Sequence, residues 1–190
     1  MTATPAACQM ALKEWASVLQ AMERGEQLVL IRKGGLIEPG SGFEVLAEEL
    51  VFYPTFEHQT VNYVRPPFAG YFDERAARRP EPGRVRFDLF GRIVHSVRTM
   101  DASVIPKLAA FHIYNDAFVT QRLKWQPDQP LMIAVVRAFR MPPAELPVVD
   151  RYAGCKSWVE LDHPVNLAGA VPVLDDAAFQ ERLTAIRALC

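Results

Sequence analysis

A chain of 190 residues, half of them hydrophobic and 23% charged, has the apolar mass for one globular core. Its formal net charge of -1 sets aside a uniformly basic, histone-like surface, though a local basic patch remains compatible with a polyanionic partner. Three widely spaced cysteines, Cys8, Cys155 and Cys190, form no CxxC pair, which argues against a disulfide framework and a zinc knuckle.

Residues 1–10 lack a basic start followed by an apolar run, so no signal peptide is expected. The longest apolar stretch, Leu131 to Val136, is far too short for a membrane helix, and the chain reads as cytoplasmic. From Cys8 to Arg24, Leu12, Trp15, Val18, Leu19 and Met22 recur at helical spacing, which predicts an amphipathic helix ended by Gly25. A buried strand is expected over Gln27 to Arg32, closed by Lys33-Gly-Gly35. A Gly/Pro/Ser loop over Glu38 to Gly42 then leads to a strand over Phe43 to Tyr53.

That second strand carries the most informative stretch. Leu50-Val-Phe-Tyr53 suits a pleated buried surface, and Pro54 should stop it because proline gives a ladder no N–H. Thr55, Glu57, His58 and Gln59 follow at once, polar groups launched from the end of a rigid element.

Between Val64 and Arg84 the texture turns to proline and arginine. Residues 65–84 read as an exposed insert with one helical turn at Asp73 to Arg78, either a solvated loop or an anion-facing flap. Beyond it, Val85 to Thr99 alternates as a strand, with a bulge or bend expected at Gly91. Helical segments are expected over Val104 to Ile113 and Asn115 to Leu123. Leu131 to Arg140 is the strongest strand and should be central, with Val135 in the core. Pro142, Pro143 and Pro147 predict a stiff extended connection, and Ser157 to Leu161 a short strand. Residues 175–190 should form a C-terminal helix capped by Asp175, completing a single domain over 1–190.

The blocks Arg32-Lys-Gly-Gly35, Tyr53-Pro-Thr-Phe-Glu-His-Gln59 and Tyr152-Ala-Gly-Cys-Lys-Ser-Trp158 together resemble the bacterial domain-of-unknown-function family numbered eighteen-oh-two, over about Leu12 to Leu161. The resemblance implies no activity. The element order, with Glu48-Glu-Leu-Val-Phe-Tyr53 and later Val135-Val-Arg-Ala-Phe-Arg-Met-Pro-Pro143, also looks like the small β-barrels of the PUA, ASCH and EVE group. Several of those bind RNA or modified bases. This chain departs from them in its long insert and in lacking their acidic-glycine step. The fold class expected is α+β, a curved or barrel-like mixed sheet with flanking helices.

His58, His95, His112 and His163 have no metal spacing, and nucleophile-elbow, P-loop and dinucleotide glycine patterns are absent. No metal, no cofactor and no particular catalytic group are therefore predicted. Arg32 and Lys33 supply fixed positive charge; Glu57, His58 and Gln59 supply donors and acceptors; Tyr53 and Trp158 supply flat faces, Trp158 being equally suited to a core. Lys156 joins them, and Arg32, Lys33, Glu57, His58 and Lys156 should share one cleft with Glu57 hydrogen-bonded to a cation. A nucleic acid or a phosphorylated small molecule suits these groups. The alternatives are a metal-dependent phosphodiester hydrolase using Glu57 and His58, and a protein-interaction module.

Overall fold

The computed structural model describes residues 4–33 and 43–190, so Gly34, Gly35 and the loop expected over Glu38 to Gly42 lie outside the described residues. The chain begins with a strand, β1 (Ala7–Trp15), and only then turns into a helix, α1 (Ala16–Glu23). The helical spacing seen from Cys8 onward is thus a correction. Residues 8–15 pair with strands on both sides, and two ladders outweigh a weak helical periodicity. Gly25 does end the helix, at φ 73°. A Cβ there would come within 2.8 Å of Leu174 Cδ2.

The strands that follow are β2 (Val29–Arg32), β3 (Glu49–Thr55), β4 (Arg84–Thr99), β5 (Leu131–Pro147), β6 (Trp158–Asn166) and β7 (Val171–Pro172). Their order is β2-β5-β4-β3-β1-β6, with β7 paired to β5. The sheet is mixed: β1 and β3 are parallel, and the other pairs are antiparallel. Among the described residues four helices flank it besides α1, namely α2 (Tyr71–Ala76), α3 (Val104–Lys107), α4 (Asp116–Lys124) and α5 (Asp176–Leu189). The Asn115 side chain accepts from Phe118 N at the start of α4, and Asp175 accepts from Ala178 N at the start of α5. The fold is α+β.

The sheet is strongly curled. Arg32 of β2 donates to the carbonyl of Lys13 in β1 at 2.5 Å and to Glu14 Oε2 at 2.8 Å. On a flat sheet four strand steps would hold β2 and β1 about 19 Å apart, beyond the reach of an arginine. The roll is helped by irregularities in the long β4–β5 ladder, between Phe87 and Leu89 and between Ile93 and His95. The first faces Met141, Pro142 and Pro143. Pro142 and Pro143, expected in a connection, therefore lie inside β5 where the ladder skips residues that have no N–H to give, while Pro147 ends β5 opposite Arg84.

Alternate residues of β3 serve two apolar clusters, Leu50 and Phe52 one, Val51 and Tyr53 the other. Val135 is fully buried in β5, between β2 and β4, though β5 is next to the sheet edge rather than central. β3 begins later than expected, at Glu49, and runs through Pro54 to Thr55, opposite Glu14 and Trp15 of β1.

Residues 65–84 are mostly exposed, yet several of their arginines turn inward. Arg65 donates to the carbonyls of Ala109 and His112. Arg75 is buried and paired with Asp88, while Arg78 binds both Glu23 and Asp88. These pairs fasten α2 to α1 and β4.

Gly91 answers a packing need rather than a bulge. A Cβ there would lie 2.7 Å from Phe52 Cε2 and 3.0 Å from Val136 Cγ1. Gly91→Ala should cost about 1–3 kcal/mol through overpacking. Urea unfolding would measure this, and an unchanged midpoint would contradict the close approach.

A cationic cleft at the strand ends

β1 and β3 run side by side in the same direction, so their carboxyl ends, Lys13 to Trp15 and Tyr53 to Thr55, finish on one rim. Thr55 Oγ1 donates to the Glu14 carbonyl at 3.1 Å and locks the two ends together. The chain leaves β3 through Phe56 and Glu57 and turns at His58, whose φ is 62°. The curl brings the Arg32–Lys33 end of β2 to the same place. The Tyr152–Ser157 turn before β6 and the Arg79–Arg86 segment complete the walls of a cleft of about 1140 Å³.

Among the described residues the lining holds eight cationic side chains and three carboxylates. The carboxylates are Glu14, Glu57 and Glu81. Of the cations, Arg32 is paired with Glu14, Arg84 with Glu145 and Arg86 with Asp88. Lys13, Lys33, Arg79, Arg122 and Lys156 make no ion pair among the described residues. A chain of net charge -1 has therefore gathered a strong positive field in one concavity.

The electrostatics of the individual groups follow from their surroundings. Lys13 donates to the carbonyls of Tyr152 at 2.5 Å and Gly154 at 2.9 Å, and sits 5.6 Å from the Tyr53 ring centroid. Burial, with Lys156 nearby, lowers its pKa below the ordinary lysine value. Lys33 is buried and donates to the Leu123 carbonyl at 3.2 Å; burial and then Arg122 lower its pKa. Arg122 stacks on Phe118 at 5.0 Å, and its buried Nε has no hydrogen-bond partner. Burial and the neighbouring Arg32 depress its pKa, but a guanidinium stays charged. Tyr53 and Tyr114 are pushed upward mainly by burial, so both phenols are donors at neutral pH.

Arg32, Lys33, Tyr53, Glu57, His58 and Lys156 all line this cleft. Gln59 does not line it: its Oε1 accepts from Ser17 N at the start of α1. Trp158 is also absent from the lining. It is buried, stacks on Phe43 at 5.9 Å and donates from Nε1 to the Glu44 carbonyl, so it acts as a core anchor. The hydrogen bond expected from Glu57 to a cation does not form among the described residues. Glu57 is exposed on the rim, and Lys156 donates instead to the Arg151 carbonyl. Arg32 and Lys33 are not a solvated strand end: Lys33 is 2% exposed, and Arg32 donates across to the Lys13 carbonyl of β1.

Lys13, Glu14 and Arg122 carry little local signal in the sequence. Lys13 and Glu14 are hidden by the helical spacing of the first segment. Arg122 reads as one more polar position on a surface helix, and its role rests on α4 packing through Phe118 against Tyr114, rings stacked at 3.8 Å.

The family model described as Domain of unknown function (DUF1802) matches residues 11–185. The chain belongs to this family. The DUF1802 match includes every residue that lines the cleft. Two crystal structures of an ASCH protein from Zymomonas mobilis also resemble the chain. One, of a mutant, has 10% identity and a TM-score of 0.43, covering 95% of this chain and 98% of that one. The other has 9% identity and a TM-score of 0.42, covering 92% and 93%. No curated protein matches the chain.

His112 supports the cleft from behind. Its Nε2 faces the Ile105 carbonyl at 3.1 Å and its Nδ1 accepts from Tyr114 N at 3.2 Å, which selects the neutral Nε2–H tautomer. Burial depresses its pKa below 6.5. Below pH 6.5 the unfolded chain therefore binds a proton that the folded chain refuses, and stability falls as pH falls from there. His112→Asn should flatten this part of the profile of unfolding free energy between pH 7 and 5. An identical slope in wild type and variant would contradict it.

Proposed function

We propose that this DUF1802 domain binds a phosphate-bearing ligand, a nucleotide or single-stranded nucleic acid, in the cleft at the strand ends. The observation that carries the reading is the imbalance of eight cations over three carboxylates in one concavity of a chain that is otherwise slightly acidic. Retaining unpaired charge in partly desolvated positions costs several kcal/mol, a cost that an anionic ligand offsets. Trp15, Phe43, Tyr53 and Phe56 add aromatic surface to the same lining. Base stacking on such side chains is worth about 1–3 kcal/mol per base. A concave site suits unpaired bases that turn inward better than it suits a duplex read along its grooves.

No observation favours hydrolysis by Glu57 and His58. Their side chains are exposed, and no cluster of three or more His, Cys, Asp or Glu suited to a metal occurs among the described residues.

Fluorescence anisotropy with labelled single-stranded RNA and DNA, with nucleotides as competitors, tests the proposal over a range of salt. Affinity should fall linearly in log–log form with salt. Lys156→Gln and Arg79→Gln should each reduce that slope by about 0.7, one phosphate contact. Absence of saturable binding at low salt would overturn the reading. Metal-dependent cleavage lost in Glu57→Gln would replace it with a hydrolase.

A further inference from the structure

We infer that the inner end of the cleft takes a phosphomonoester, the terminal phosphate of a nucleotide or of a strand end, in preference to an internal phosphodiester. The inference rests on the binding role proposed above and adds to it the chemical form of the phosphate.

Two observations carry it. The first is closure. The rim cations Arg79 and Arg84 are exposed, whereas the inner wall is built from buried residues: Lys33 at 2% exposure, Tyr114 at 4% and Phe118 at 1%. Among the described residues, the end of β2, the Tyr114 segment and α4 wall this end of the cleft. An internal phosphodiester needs room for the chain to enter and to leave, whereas a terminal phosphate needs only to enter.

The second observation is charge. Arg32, Lys33 and Arg122 stand at this end with one carboxylate, Glu14. Glu14 is already engaged, through Oε2 by Arg32 and through Oε1 by the Trp15 N–H. Among the described residues Lys33 has a single neutral partner, the Leu123 carbonyl, and Arg122 makes neither a hydrogen bond nor an ion pair, its guanidinium lying against the Phe118 ring. Asp128 is exposed, does not line the cleft and exerts a weaker pull on Lys33. Two positive charges are left over. A phosphomonoester carries about −1.5 to −2 at neutral pH and matches both, whereas a diester carries one negative charge. Arg122 offers a planar fork from α4 and Lys33 a point charge from β2, complementary ways to hold three terminal oxygens.

The test uses the full chain and one labelled single strand in three forms: end-phosphorylated, dephosphorylated and circularised. A 5′-mononucleotide and its nucleoside serve as competitors that separate a free nucleotide from a strand end. The phosphorylated strand should bind at least tenfold tighter than the other two, and the mononucleotide should compete where the nucleoside does not. Arg122→Gln should remove that preference, so that within this variant the phosphorylated and dephosphorylated strands bind within about twofold of each other. Lys33→Met should do the same, with thermal melts confirming that both variants fold. Lys156→Gln should weaken all three strands alike. Equal binding of the three strands by wild type would overturn the phosphomonoester inference and leave the binding role intact. Loss of preference in Lys156→Gln but not in Arg122→Gln would also overturn it. If none of the strands binds, both readings fall.

Discussion

The contact from Arg32 to the Lys13 carbonyl and Glu14 joins strands that lie four places apart in the ladder order. It turns an open sheet into a curled one, and the cleft exists because of that curl. Without it, β2 would deliver Arg32 and Lys33 to an edge remote from β1 and β3. The carboxylate of Glu14 also orients its own strand end by accepting the Trp15 N–H where β1 gives way to α1. One pair, a buried Glu14 and a half-buried Arg32, therefore sets the roll of the sheet, the start of a helix and the floor of the site. Such pairs are poor sources of net stability but strong sources of specificity, because a buried arginine without its carboxylate is expensive.

Arginine has two separate uses in this chain. Arg65, Arg75 and Arg78 are consumed by structure: carbonyl caps and a network with Glu23 and Asp88 that holds α2 against α1 and β4. Arg79, Arg84 and Arg86, from the same stretch of sequence, line the cleft. The proline-rich segment is thus anchored at its helix and open at its end. That arrangement gives the rim a fixed wall rather than a free flap, and it lets a chain with net charge -1 present a positive concavity.

Much of this was legible in the sequence. The apolar strand residues Leu50 to Tyr53, the left-handed glycine at Gly25 and the capping Asp175 depend on local chemistry, and local chemistry is written in neighbouring residues; Pro54 did not stop its strand, which pairs on to Thr55 against β1. The convergence of Arg32, Lys33, Glu57, His58 and Lys156 followed from the habit of strand ends to share a rim. What escaped depended on partners far away in the chain. Residues 8–15 have helical spacing, yet two flanking ladders make them a strand. Trp158 and Gln59 are drawn into structural contacts with Phe43 and Ser17 that no local pattern announces. Glu14 and Arg122 matter through what the curl places beside them, and the curl is a property of the whole sheet.

The central claim is that sheet curling assembles an anion-binding floor from β2 and α4. The most direct measurement is an NMR titration of isotope-labelled protein with a 5′-mononucleotide, following backbone amides and arginine Nε–Hε resonances. The account predicts saturable shifts at the Arg122 Nε–Hε group and at the amides of Lys33, Trp15 and Thr55, with α5 unmoved. Shifts confined to exposed basic residues outside the cleft, with Arg122 and Lys33 unchanged at saturation, would contradict it.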